Sequence, residues 1–135
     1  FEGDELDSLA DAMERTGKKT SRPETFSRDA ASVKKASCLI VIATTASTLG
    51  LDCSFCGFQT CREAEKSGAT CAYNSGDLGI AVGSAISTAR DFNVDNRIMY
   101  TAGYTVKKEE LMGKDIRMAL GIPLSATGKN PFFDR

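Results

Sequence analysis

A chain of 135 residues is long enough for one domain with its own core, and 41% hydrophobic with 26% charged residues is ordinary for a globular protein. The formal net charge of −1 argues against nucleic acid or an anionic membrane surface as a partner, and no apolar run is long enough to span a membrane. Because histidine is absent, histidine bases and His-paired nucleophiles are excluded.

The start of the chain lacks a signal-peptide pattern, and we expect a single cytoplasmic domain over residues 1–135. The first residue is Phe1 instead of methionine, so the possibility that the chain is a fragment lacking upstream residues stays open.

Two helices and a strand are predicted in the first third of the chain. Residues 4–19 place apolar side chains at intervals of three and four, which is typical of an amphipathic helix. Ser27 is suited to cap a second helix that ends near Ala36. Residues 38–43 are six consecutive apolar residues, which predict a buried strand that is central in its sheet and parallel to its neighbours. Cys38 within it is interpreted as a small core residue.

Residues 50–74, here called the cysteine segment, hold four of the five cysteines. Cys53 and Cys56 are separated by two residues and can wrap a tight turn, and Gly57 after them lets the backbone bend close to a metal centre. Cys61 is expected to begin a short helix, with Cys71 returning from its far side. This spacing predicts four thiolate ligands for one iron–sulfur cluster of the [4Fe–4S] type.

Two other interpretations of the cysteine segment stay open. Structural zinc usually draws on two close pairs of cysteine or histidine ligands, whereas this chain has one such pair and no histidine. Disulfides are typical of small secreted domains, and 135 residues can bury a core without them.

Small residues recur at every fourth position of the helix predicted from Leu78 to Arg90, which Asp77 is suited to cap. Two glycines inside a helix cost up to about 1 kcal/mol each, so close packing is expected to offset them. Helix-to-helix packing, a flat cofactor and a second subunit are the open alternatives, and we predict a homodimer through the face of Gly79, Gly83 and Ser87.

The last third of the chain predicts two more strands, over residues 97–103 and 115–124, around a charged stretch at 107–114 that suits a helical turn or a loop. The tail at 128–135 contains adjacent phenylalanines and is expected to be docked beside the cluster, on a neighbouring subunit or on a core edge. The fold class is therefore α/β or α+β, with a small mixed sheet, flanking helices and an inserted cluster loop.

Four blocks of sequence resemble an uncharacterised prokaryotic family that contains a ferredoxin domain. They are Gly50–Cys61, Asp77–Ala85, Val94–Tyr100 and Gly121–Arg135. The cysteine segment is also similar to small cluster domains of electron-transfer and corrinoid iron–sulfur proteins. The resemblance implies a [4Fe–4S] cluster on Cys53, Cys56, Cys61 and Cys71.

A looser resemblance links residues 77–103 and the last strand to flavin-dependent nitroreductases, whose long central helix is rich in small residues. It implies FMN as a possible cofactor near a dimer interface, although the basic N-terminal flavin-phosphate motif of those enzymes is not found here.

Three classes of function follow. The first is an iron–sulfur electron carrier or redox subunit that serves a redox partner protein. The second is a flavin-linked oxidoreductase with a cavity lined by Asn96, Arg97, Lys129 and Asn130, in which the two cations hold an anion or are plain surface charges. The third is a structural metal-binding interaction module. No catalytic residue is assigned, since Asp77, Asp95 and Asp134 are not spaced to act together.

Overall fold

A computed structural model describes residues 1–133 of the chain, and helices flank a small sheet in it. Its elements are α1 (Asp4–Gly17), α2 (Pro23–Val33), β1 (Cys38–Thr45), α3 (Cys61–Ser67), α4 (Ala72–Asp91), β2 (Asp95–Asn96), α5 (Tyr100–Lys108) and β3 (Ile116–Ser125). The strands form one antiparallel sheet in the order β1, β3, β2. The expected mixed α/β class, with a small sheet and flanking helices, is confirmed.

The two faces of the sheet carry different helices. On one face, α1, α2 and α5 pack over the main core, whose largest fully buried side chains are Leu9, Met13, Phe26, Val33, Leu39, Met99 and Val106. On the other face, α4 lies alone and buries Leu78 and Val82 against Ile122 of β3. Because α4 is 20 residues long, or about 30 Å, it runs along the whole sheet.

The predicted place of the first strand is wrong in two respects. β1 lies at the edge of the sheet, and it is antiparallel to β3, with Cys38 opposite Leu124 and Thr45 opposite Ile116. An unbroken apolar run indicates a strand with helices over both faces, and β1 does contact α4 and α5. Such a run does not determine which strands pair with it or in which direction. Ile40 shows the edge position, since 44% of it is exposed.

The predicted strand at residues 97–103 is also wrong. Only Met99 bridges to the sheet, through paired backbone hydrogen bonds with Gly121, and α5 begins at the next residue. A side chain at Gly103 would overlap the backbone carbonyl of Ala119, so glycine here allows the helix to lie directly on β3. The residues of this segment favour a strand, but its contact with β3 is made as a helix.

Two helices begin earlier than their predicted caps. α2 begins at Pro23, a residue suited to the first helical turn because it lacks an N–H, and not after Ser27. α4 begins at Ala72 with Cys71 as its N-cap residue, so Asp77 lies inside the helix and is not its cap. The third strand and the helix at Cys61 match their predicted positions closely.

The outer side of α4 is exposed. A Cβ atom added at Gly79 or Gly83 would meet no described atom within 4 Å, and 73% of Ile80 on the same helix is exposed. The expected packing of these glycines against another helix is therefore wrong within residues 1–133. Packing against a second subunit stays a prediction.

The nitroreductase-like arrangement is not supported. The small-residue helix is present, but it lies on the surface of a three-stranded antiparallel sheet and not at the centre of the fold. Across residues 1–133, none of the helices combines the length and the apolar character that crossing a bilayer requires.

Candidate metal centre

The cysteine segment is attached to the end of the sheet where β1 finishes and β3 starts. Arg117 of β3 donates from Nε to Oγ1 of Thr70 at 3.0 Å. The hydroxyl of Ser75 lies 3.4 Å from Sδ of Met118, also on β3. The cysteine segment and the loop of residues 46–49 before it, together called the lobe, therefore lie beyond this end of the sheet and carry the four candidate ligands.

Cys53 and Cys56 lie on a tight turn, as predicted. The N–H of Gly57 donates to the carbonyl of Ser54 at 2.9 Å and closes the turn. Gly57 has a φ of 87°, and Asp52 and Ser54 on either side of Cys53 have φ values of 47° and 60°. Left-handed backbone is costly for residues with a Cβ atom, so this turn is held in its shape by its surroundings.

Cys61 is the first residue of α3, and Asp52 fixes it from across the loop. The Cys61 N–H donates to Oδ1 of Asp52 at 2.6 Å, and the Asp52 N–H donates to Sγ of Cys61 at 3.4 Å. Thr60 and Glu63 form a reciprocal capping box at the same helix end. An N–H directed at a sulfur stabilises its negative charge, and such contacts tune a metal-bound thiolate.

Cys71 is the N-cap residue of α4 and the most buried of the four, with 8% exposed. The backbone N–H of Asn74, with smaller contributions from those of Leu49 and Tyr73, lowers the pKa of the Cys71 thiol against the opposing effect of burial. Because the thiolate is the form that ligates metal, this environment favours a ligand role.

Two contacts join the parts of the lobe. The rings of Phe55 and Tyr73 stack with centroids 5.7 Å apart, which links the turn of Cys53 and Cys56 to the first turn of α4. The side-chain amide of Asn74 donates to the carbonyl of Ser47, which links the loop after β1 to the same turn.

The donor set fits an iron–sulfur cluster in its chemistry. All five cysteines are free thiols, and the four in the lobe are soft donors of the type that such clusters require. Within residues 1–133, no three potential ligands among cysteine, aspartate and glutamate converge tightly enough to hold a metal ion. The contacts described above join the segments that carry the four thiols, and metal binding commonly completes such a site.

Cys38 lies far from this lobe. It stands at the beginning of β1, seven residues before Thr45, which is about 23 Å along an extended strand. It is half-buried and lies outside the core, so its interpretation as a core residue is wrong, and its exclusion as a ligand stays a prediction.

The four candidate cofactor residues lie at the opposite end of the sheet. Asp95, which precedes Asn96 and Arg97, pairs with Ser125 of β3. Ser125 lies about 26 Å along β3 from Arg117, the residue that contacts the cysteine lobe. Asn96 and Asn130 line one cavity of about 500 Å³, together with Arg90 and Phe133. Arg97 faces a second, smaller depression, so the four residues are not brought to one point. A flavin at this end would be separated from the cysteine lobe by most of the sheet.

The C-terminal tail is also at this far end, where its described part is docked through Phe132 but leaves 57% of Phe133 exposed. Asn130 donates to Oδ1 of Asp95 at 2.9 Å, and only 4% of Phe132 is exposed within the main core. This position supports the role of a core edge and not that of a shield beside the cluster. Asp134 and Arg135 lie outside the described residues.

Sequence reasoning did not find Asp52 as a residue that shapes the site. A signal was present, since aspartate tolerates left-handed backbone and directly precedes Cys53. Thr60 and Glu63 likewise carry a capping-box spacing.

Comparison with known proteins gives two matches. Residues 67–135, just over half of the chain, match the model of a family described as "Uncharacterized protein containing a ferredoxin domain (DUF2148)". The matched range includes Cys71, whereas the other three lobe cysteines precede it. An uncharacterised protein of Archaeoglobus fulgidus is 38% identical over 143 residues, which cover 99% of this chain and 76% of that protein. No solved structure matches significantly.

Proposed function

The chain belongs to the family of uncharacterised proteins that contain a ferredoxin domain, and from this premise we propose that it is an iron–sulfur protein serving one-electron transfer. The proposal assigns one [4Fe–4S] cluster to Cys53, Cys56, Cys61 and Cys71. The proposal is supported by the contacts that join the parts of one segment carrying these four free thiols, two of them at helix N-termini.

When bound, the cluster supplies one electron at a potential set by net charge, hydrogen bonds to sulfur and solvent exposure. Each part of the lobe has a task in this proposal. Asp52 holds Cys61 in place through the reciprocal contact, and its N–H lowers the electron density on that sulfur. The first turn of α4 does the same for Cys71. Thiolate ligands persist in a reducing compartment, and we expect the protein to be cytoplasmic for this reason.

The redox partner is expected to dock on the lobe itself. Leu49, Leu51 and Phe55 are large apolar side chains on it that are half or more exposed. Interfaces between electron-transfer proteins are small, and such a patch beside the donor is suited to one. A partner bound there would also exclude water from the metal centre.

The other two classes are less well supported by the geometry. A flavin held by Asn96 and Asn130 would lie at the far end of the sheet, where the cysteine lobe of the same chain cannot feed it directly. A structural zinc ion would use the same four thiols, and the metal content of the protein separates it from a cluster.

The test uses protein purified without oxygen, studied by visible absorption and by electron paramagnetic resonance before and after reduction with dithionite. We expect broad absorption near 400 nm that bleaches on reduction, together with the paramagnetic signal of a cluster reduced by one electron. Stoichiometric zinc with neither feature would contradict the proposal. Flavin released on denaturation, detected by its fluorescence, would instead support the flavin-linked oxidoreductase.

A further inference from the structure

A cluster of three cations surrounds a small depression at the end of the molecule opposite the cysteine lobe. Its lining includes Arg28, Ser32 and Lys35 from α2 and the residues just after it, Arg97 from the loop after β2, and Phe132 from the tail. These cations converge although the whole chain has a net charge of −1. From this convergence we infer that the depression is a binding site for a small oxyanion, either a phosphate group or a carboxylate.

Arg28 is oriented by buried groups behind it. Its Nε and Nη2 atoms donate to Oδ1 of Asp29 at 3.0 and 2.9 Å, and Oδ2 of Asp29 accepts from the hydroxyl of Thr101 at 2.7 Å. Only 3% of Asp29 is exposed, and both of its oxygens are used. The Nη1 group of Arg28 therefore keeps its donors for a ligand, on a side chain whose direction is already fixed.

Arg97 is held in a similar way from the other side. Its guanidinium lies 5.5 Å from the centroid of the Phe133 ring, and Nη1 donates to the carbonyl of Phe132 at 3.4 Å. The remaining N–H groups of this planar fork are unused by these contacts. Two arginines, one of them oriented by a buried carboxylate, present donors suited to the oxygens of a phosphate or carboxylate.

Lys35 supplies the third charge. Among the residues that the structure describes, its ammonium group forms neither a hydrogen bond nor an ion pair. Among the described residues Asp29 compensates one of the three charges, so this described lining keeps a net charge of about +2 for an anion to neutralise.

The size of the depression limits the ligand. Its volume of about 200 Å³ is below the roughly 300–1,000 Å³ of sites that enclose a whole drug-sized molecule. It has room for the anionic group of a ligand, with any remainder lying outside.

The experiment follows the Nε–Hε signals of arginine in isotopically labelled protein by nuclear magnetic resonance. Sodium phosphate and, in a separate arm, sodium acetate replace sodium chloride at constant ionic strength. We expect saturable shifts of the Arg28 and Arg97 signals. Saturation with phosphate alone assigns a phosphate group, and saturation with both assigns oxyanions in general.

Lys35→Gln and Arg97→Gln should each weaken binding by at least about tenfold, because each removes a charged donor. Lys35 has no side-chain partner among residues 1–133, so its variant is expected to fold normally. Arg22→Gln, at the N-cap position before α2, removes the same charge outside the depression and should bind as the unaltered protein does. Shifts that rise linearly without saturation, or an equal loss in all three variants, would overturn the inference.

Discussion

Asp52 should govern the shape of the cysteine lobe in two separable ways. Its carboxylate accepts the Cys61 N–H at 2.6 Å, and its own backbone lies at a φ of 47°. Loss of an acceptor at a helix N-terminus costs about 1 kcal/mol of the free energy of unfolding. Placing an ordinary Cβ-bearing residue in the left-handed region costs about 1–2 kcal/mol more.

Three substitutions at this position separate the two effects. Asp52→Asn keeps an acceptor and tolerates the backbone, so its stability should lie within about 0.5 kcal/mol of the original. Asp52→Gly loses the acceptor alone and should cost about 1 kcal/mol. Asp52→Ala loses both and should cost about 2–3 kcal/mol. For a domain of this size, about 4 °C per kcal/mol gives a fall in Tm of about 8–12 °C for the alanine variant.

Thermal unfolding of the metal-free protein measures the combined loss of stability from the missing acceptor and the backbone cost. Hydrogen exchange of the Cys61 amide reports on the acceptor alone. Exchange should be faster in the glycine and alanine variants and unchanged in the asparagine variant. If glycine and alanine were equally destabilising, the backbone argument would fail. If the Cys61 amide exchanged at the same rate in all variants, the carboxylate would not be its partner.

Three further predictions concern other parts of the chain. Gly83→Leu should shift a dimer toward monomer in sedimentation without lowering the stability of the subunit, because its surroundings are open; an unaltered chain that is monomeric at all concentrations would contradict the dimer. The pKa of the Cys71 thiol is lowered in the folded state, so the free energy of unfolding of the metal-free protein should increase as the pH rises from the folded pKa toward the ordinary thiol value. This gain should be lost as the pH falls back through the folded pKa. A Cys71→Ala variant with the same pH profile would refute this. Phe132→Ala should cost about 3–5 kcal/mol in denaturant unfolding and Phe133→Ala much less, with an unchanged redox potential in both, whereas an altered potential would mean that the tail reaches the lobe.

Local patterns in the sequence were sufficient for the parts of the fold that depend on near neighbours. The periodicity of α1, the turn at Gly57 and the helix start at Cys61 are all set within a few residues, and all three are present in the structure. The exclusion of Cys38 from the lobe also followed from its apolar surroundings.

Features decided by distant contacts could not be read from the sequence. The start of α5 depends on the close approach of Gly103 to Ala119, residues far apart in the chain. The edge position of β1 depends on β3 taking the centre of the sheet. The distance between Arg97 and the cysteine lobe is likewise a consequence of topology, since the two lie at opposite ends of β3.

The number of iron and sulfide ions per chain, in protein kept anaerobic, tests the central claim most directly. The account predicts about four of each in the unaltered protein and in Cys38→Ser. It predicts a large loss of both in Cys53→Ser, Cys56→Ser, Cys61→Ser and Cys71→Ser. A full complement of iron in any of these four, or loss of iron in Cys38→Ser, would contradict the assignment of the ligands.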